Sequence, residues 1–362
     1  MRCTRVFFCH WSVAMSFERP SWPALLDSVI EGHHLSDEQS TALMRAWLAE
    51  ELTPVQTGGF LIALRAKGLV SEELAAMAAV LREACPLPCE RPELLMVDTC
   101  GTGGDGADTF NISTAVAFTA AACGVSVAKH GNRSASGKVG SADVLEGLGL
   151  QLKAPLATVV KALSTAGVTF LFAPAWHPAL VNLAPLRRSL GVRTVFNLLG
   201  PLVNPLRPQA QVLGVAREQL LLPMAGALRD LGVQRSIVVH GAGGLDEASL
   251  AGPNQLQMIE AGTITPQTIA PEDVGLIQAP LEALKGGDLS ANQEILRSVL
   301  QGRGSRAQMD VVAFNTALVL WAAGQEQDLA RAVQQSLDVM ERGLPWQRLE
   351  GLRMALADRN GE

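Results

Sequence analysis

Between Trp22 and Ala84 apolar residues recur at steps of three and four, and each run opens on polar residues. That is the pattern of amphipathic helices turning one face inward. In "SDEQSTALMRAWLAEE" Ser36 stands three residues before Gln39, the spacing of a capping box. "TPVQTGGFLIALRAKG" and "SEELAAMAAVLREA" repeat the scheme, and the Pro-rich "CPLPCERP" punctuates its end. Beyond it the texture changes. Short apolar runs, "ELLMVDTC", "GVSVAKHGN", "VTFLF", "AQVLGV" and "SIVVHGAGG", end at loops and alternate with helical stretches, the first through "STAVAFTAAAC". This alternation predicts a parallel or mixed sheet covered by helices. The expected fold class is α/β, with a small all-helical N-terminal domain over 21–92 and a larger α/β domain with a central mixed sheet over 93–362. Residues 1–20 read as a leader, disordered or not translated, with Met15 as the translation start.

Composition narrows the classes. The 362 residues are 48% hydrophobic and 18% charged, enough for two domains or one large lobed one. A net charge of −6 argues against a nucleic-acid partner. No run of about 20 apolar residues is present, so no membrane span is expected. The six cysteines are scattered, which fits reduced thiols in the cytoplasm better than a disulfide framework. Cys85 and Cys89 form one C-x₃-C without the further ligands zinc needs.

Chemistry concentrates in four blocks. The first, "VDTCGTGGDGADTFNIST", contains G-x-G-x-x-G at Gly101, Gly103 and Gly106. A dinucleotide fingerprint needs an acid about 20 residues on, yet no Asp or Glu occurs between Asp108 and Asp143. The second strand ends at Lys129-His130 instead. No G-K-[ST] follows either, which excludes a P-loop. A phosphorylated sugar fits better: glycines let backbone N–H groups approach an anion, and "NIST" opens a helix whose N-terminus favours phosphate. Thr109, Ser113 and Thr114 add hydroxyls, and Asp105 suits sugar hydroxyls or a magnesium-bound water. The alternative is a tight strand–helix turn capped by Asn111.

The second block, "KHGNRSASGKVGSADVLEGLG", sets Lys129, Arg133 and Lys138 among serines and glycines ahead of a helix near Ser141, a composition suited to a diphosphate. An exposed turn with incidental charge is the alternative. In the third, "VVHGAGGLDEASL", Asp246 and Glu247 are adjacent hard oxygen ligands suited to Mg²⁺, or caps of a helix, and His240 reads as a packing residue. The fourth, "FLFAPAWHPALVNLAPLRRSLGVRTVFNLLGPLVNP", holds His177, Arg187, Arg188 and Arg193 amid apolar residues, where an arginine beside an apolar slot can clamp a carboxylate.

Taken together and in order, these four blocks resemble the signature of the anthranilate phosphoribosyltransferases, a similarity that runs from about Pro23 to the C-terminus. The resemblance implies a fold of the nucleoside phosphorylase/phosphoribosyltransferase type, with a helical segment near 180–200 joining the helical domain, and a homodimer formed through that domain. It implies Mg²⁺-dependent transfer of a phosphoribosyl group from phosphoribosyl pyrophosphate to the amine of anthranilate, in tryptophan biosynthesis. By motif position, Gly101 meets both substrates. Gly104, Asp105, Thr109, Asn111, Ile112, Ser113 and Thr114 hold phosphoribosyl pyrophosphate. Lys129, His130, Gly131, Asn132, Arg133, Ser134, Ala135, Ser136, Gly137 and Ser141 continue that site. Asn132 and Arg187 hold anthranilate, with His130 and His177 beside it, and Ser113, Asp246 and Glu247 hold the metal. No residue is expected to act as a discrete acid or base. Relatives often carry Ser in place of Gly137 and Ser or Cys in place of Val139. Two rivals are a nucleoside phosphorylase of the same fold and a nucleic-acid-binding relative.

Overall fold

The computed structural model describes residues 21–133 and 139–357. The leader, the Met15 start and the block Ser134–Lys138 lie outside the described residues.

Four helices open the chain: α1 (Trp22–Ile30), α2 (Asp37–Leu48), α3 (Pro54–Lys67) and α4 (Ser71–Glu83). The capping box at α2 is formed: the Gln39 amide donates to Ser36 Oγ (3.2 Å) and the Ser36 amide to Gln39 Oε1 (2.9 Å). Thr53 and Gln56 build the same box on α3. Each satisfies two backbone donors that the first turn leaves unpaired.

The sheet has seven strands: β1 (Met96–Gly101), β2 (Ser126–Gly131), β3 (Val168–Phe172), β4 (Ala210–Gly214), β5 (Arg235–His240), β6 (Asn254–Glu260) and β7 (Thr263–Ile269). Their order is β3-β2-β1-β4-β5-β6-β7. The first five are parallel, and β6 and β7 add antiparallel. The sheet is thus mixed. The parallel strands have continuous apolar runs because helices cover both faces. The antiparallel pair has a weaker signature: β7 is largely exposed and carries Pro266, which only an edge strand tolerates. Within the parallel part the chain runs outward from β1 to β2 and β3, then returns to the other side of β1 as β4. Strand order therefore reverses at β1, and α/β ligands bind at the carboxyl ends of strands at such a switch point.

One face carries α5 (Ile112–Ala122) and the helix Arg306–Ala322, buried almost throughout from Met309. The other face carries the helix Leu221–Asp230, and the N-terminal bundle stacks on it. A single apolar core joins Phe60, Leu64, Leu74 and Met77 of the bundle with Leu183, Phe196 and Leu199, and with Leu213, Val238 and Ile259 of the sheet. The bundle therefore has no closed core of its own. No helix among the described residues is long and apolar enough to cross a membrane.

Candidate active site

The glycine block begins where β1 ends. Gly103, Gly104 and Gly106 have positive φ (66°, 82° and 75°), which only glycine adopts without strain. Gly101 and Gly214, at the ends of adjacent strands, serve a different purpose. A Cβ on Gly101 would collide with the Asp246 carboxylate, and one on Gly214 with the Asp246 main chain. The missing side chains let the loop after β5 close over both strand ends, where the Gly103 amide donates to Asp246 Oδ2 (2.5 Å).

That closure gathers acids. Oxygen atoms of Asp105, Asp246 and Glu247 lie within 4.8 Å of one another. Burial, and then Asp105, pushes the Asp246 carboxyl up to about 7. Burial and Asp246 push Glu247 well above the carboxylate range, and its Oε2 is enclosed without a hydrogen-bond partner. Two buried carboxylates this close, Asp246 and Glu247, resist ionising together unless a cation lies beside them. Ser113, in the first turn of α5, borders the same small cavity as Asp246 and Glu247. No helix starts at Asp246-Glu247, so the capping alternative falls. A hard-oxygen set with one unpartnered oxygen fits Mg²⁺. Asp105 enlarges the metal set expected from sequence; an acid inside a glycine loop was the signal.

Lys129 is buried and donates to the Thr99 carbonyl (2.7 Å) and to Ser113 Oγ (3.1 Å), placing a cation between the strand ends and the helix start. Burial lowers its pKa, opposed by Cys100, Asp98, Glu247 and Asp246.

On the β2 side the chemistry is neutral. His130 and His177 are both buried, their rings edge to face with centroids 5.5 Å apart. His130 Nδ1 donates to the Gly200 carbonyl (3.1 Å) and His177 Nε2 to that of Val203 (3.0 Å). Burial and the neighbouring His177 push His130 down to about 3, and burial lowers His177. With Nδ1 donating, His130 Nε2 is left as an acceptor, enclosed and unpartnered. Arg187 lies over the Phe196 ring, 5.2 Å from its centroid, so Arg187 and His130 converge on the segment 196–200.

Other expected site residues fall as follows. Asn132 is exposed, and its carbonyl accepts from Ser141 Oγ (3.2 Å). Gly131 packs so closely on the Phe170 ring and Ser141 that a Cβ would collide. Thr109 bridges to Lys285 across an isolated β-bridge. Ile112 and Thr114 are buried in the first turn of α5, and Thr114 Oγ1 is enclosed without a hydrogen-bond partner. Two side chains depart from expectation. Asn111 does not cap α5: its Nδ2 donates to the Val139 carbonyl (3.1 Å), tying the two loops together. Arg133 turns away to Asp143 (2.5 Å) and Glu146 (2.7 Å) on α6 (Ser141–Gly147), carboxylates that hold its charge outside the cleft.

Two positioning residues were not singled out from sequence, Asp98 and Asn204. Asp98, buried within β1 and held near 6 by burial, accepts from Asn204 Nδ2 (2.9 Å) and from the His130 amide (3.1 Å). An acid inside an apolar strand run was its signal. Arg193, from the fourth block, donates to the Thr102 carbonyl and packs against Gly104.

The chain's relatives agree with this geometry. The glycosyl transferase family helical bundle domain matches residues 23–85, and the glycosyl transferase family a/b domain matches 93–345. Anthranilate phosphoribosyltransferase of Synechococcus sp. (strain CC9902) is 72% identical over 343 residues, 94% of this chain and 98% of the relative. The crystal structure of the Thermus thermophilus anthranilate phosphoribosyltransferase matches with a TM-score of 0.86 at 44% identity, covering 91% of this chain and 98% of that one. The Saccharomyces cerevisiae anthranilate phosphoribosyltransferase in complex with PRPP and Mg matches with a TM-score of 0.84 at 25% identity, covering 93% and 98%. On sequence and fold alike, the chain belongs to the anthranilate phosphoribosyltransferase family.

Proposed function

We propose that the chain transfers the phosphoribosyl group of phosphoribosyl pyrophosphate to the amine of anthranilate, giving N-(5-phosphoribosyl)anthranilate and pyrophosphate in tryptophan biosynthesis. One observation carries the reading: at the carboxyl edge of the sheet a cluster of three carboxylates with a buried lysine faces a phosphate-type helix start, beside a neutral histidine pair. Asp105, Asp246, Glu247 and Ser113 would hold Mg²⁺. An ion held there would supply positive charge to offset that on the departing pyrophosphate. The yeast relative's complex with PRPP and Mg supports both ligands.

The chain's own groups divide the remaining work. The backbone of Gly101, Gly104 and Asn111–Thr114, with the N-terminal end of α5, cradles phosphate. Lys129 brings a fixed cation, and Gly131, Asn132 and Ser141 continue the cradle; the expected contacts of Ser134–Gly137 lie outside the described residues. Arg187 and Asn132 hold the anthranilate carboxylate, a charge-assisted contact from a partly desolvated guanidinium. His130 Nε2 accepts an N–H of the aromatic amine and aims its lone pair at the ribose C1. That amine is neutral at pH 7, so orientation rather than a strong base is what the site must supply. A homodimer through the helical domain is supported by Ile30, Val55 and Ile62, apolar residues exposed on its helices. The cytoplasm is the compartment that reduced cysteines favour, and the described ones are all free thiols.

The test is the loss of anthranilate fluorescence on adding phosphoribosyl pyrophosphate, with and without Mg²⁺. The expected outcome is a decay that requires the metal. A folded protein that leaves anthranilate unchanged under both conditions contradicts the proposal.

A further inference from the structure

A second cavity, of about 90 Å³, opens against the glycine loop and is lined by none of the three carboxylates. Its lining includes Thr102, Gly103 and Gly104 and the apolar residues Leu69 and Leu220. Three arginines border it: Arg65 from the last turn of α3 and Arg217 just after β4, both exposed, and Arg193. Arg193 is anchored on the Thr102 carbonyl. Among the described residues, neither Arg65 nor Arg217 has a carboxylate at ion-pair distance. Burial holds Arg193 below the ordinary arginine range. Arg217 and Arg65 push it further down, while Asp246 and Asp105 oppose. Three like charges around one space repel, and the two acids offset this at Arg193 alone, leaving Arg65 and Arg217 without an ion-pair partner among the described residues. They do, however, match an anion with several acceptor oxygens, which guanidinium forks bind bidentately. Gly103 and Gly104 add no side chain of their own there, which leaves room for the Arg193 guanidinium against Gly104. The volume holds on the order of six waters, enough for a phosphoryl group. An amino acid fits poorly, because its ammonium would face three cations.

We propose that this cavity is a second oxyanion site, for a small anion of the phosphate class, bordering the reacting cleft at Gly104 but lined by none of its carboxylates. It does not depend on the transferase reading. Two sources share the chemistry: free phosphate and the phosphoryl group of a small phosphorylated metabolite. The experiment is calorimetric titration of the full chain, saturated with phosphoribosyl pyrophosphate and Mg²⁺ in the absence of anthranilate, so that the reacting cleft is filled and no turnover occurs. Inorganic phosphate is the first titrant and ribose 5-phosphate the second. The expected result is one phosphate bound per chain, weakened at least about tenfold in R65A/R217A as charge-assisted contacts are lost. R65K/R217K is expected to fall in between, since it keeps charge but loses the fork. Tighter ribose 5-phosphate binding identifies the metabolite as the source, and equal or weaker binding identifies free phosphate. No phosphate uptake by the wild-type chain, or equal uptake by the folded R65A/R217A variant, overturns the proposal. The phosphoribosyl pyrophosphate isotherm, recorded first, shows failure of the transferase reading separately. A chain that ignores that ligand yet binds phosphate through Arg65 and Arg217 retains the site.

Discussion

On the β1–β5 side of the cleft, three carboxylates crowd within 4.8 Å, and burial pushes two of them, Asp246 and Glu247, toward protonation. On the β2 side, two imidazoles lie at 5.5 Å and are pushed toward neutrality. Burial causes both shifts, because a low-dielectric environment penalises whichever form is charged. The consequences differ. The carboxylates are left in a state that a divalent cation relieves, which suits a leaving group made of phosphate. The imidazoles are already at rest, each with one nitrogen tied to a carbonyl, which suits the orientation of a neutral amine. One fold thus prepares a charged and an uncharged half of the same reaction.

Four experiments bear on this division, the most severe first. The double variant Asp246→Asn, Glu247→Gln removes the charge that a cation would balance. It is expected to lower activity by roughly 10²-fold at limiting magnesium and to raise the magnesium requirement sharply. Unchanged magnesium dependence would remove the metal assignment. Arg187→Ala is expected to raise the anthranilate KM by roughly tenfold or more, the size of a lost charge-assisted contact, with little change in the magnesium requirement.

The third experiment is the pH dependence of melting in the metal-free protein, where the two halves act with opposite sign. Asp246 binds its proton more tightly in the folded chain. Its contribution is complete below its ordinary value of 3.8 and is lost as pH rises through about 7. His130 binds its proton less tightly when folded, so its contribution is complete above 6.5 and is lost as pH falls toward 3. Asp246→Asn is therefore expected to flatten the decline on the neutral side, and His130→Gln the decline on the acid side. Added Mg²⁺ is expected to restore stability chiefly near and above pH 7. A metal effect equal at pH 5 and pH 8 contradicts this picture.

Arg133→Ala carries the smallest expected effect. Its partners Asp143 and Glu146 form partly exposed pairs, which contribute about 0–1 kcal/mol. The phosphoribosyl pyrophosphate KM is expected to move less than about threefold. A larger rise would mean that the guanidinium leaves α6 to meet the substrate.

The limits of sequence reading follow the physics of each element. Helical periodicity and the Ser36–Gln39 box were legible because they are local. So were the parallel strands, whose apolar runs reflect burial on both faces. Strands β6 and β7 were not foreseen, since alternation broken by Gln, Thr and Pro resembles a loop until a neighbouring strand supplies the ladder. The glycines of the first block pointed to close approach. The group that approaches Gly101 and Gly214 is the Asp246 segment, more than thirty residues beyond the nearer of them. Such pairing is long-range and leaves no periodic trace. The directions of Arg133 and Asn111 were equally hidden, because a side chain chooses among partners that only the folded chain brings within reach.

The most direct measurement of the division between charged and neutral halves is a crossed comparison of Asp246→Asn and Arg187→Ala. In each variant the magnesium concentration for half-maximal rate and the anthranilate KM are determined together. The account predicts that Asp246→Asn moves the first and spares the second, while Arg187→Ala does the reverse. If either variant shifts both quantities by similar factors, the two halves do not act separately, and the division of labour drawn from the cleft is wrong.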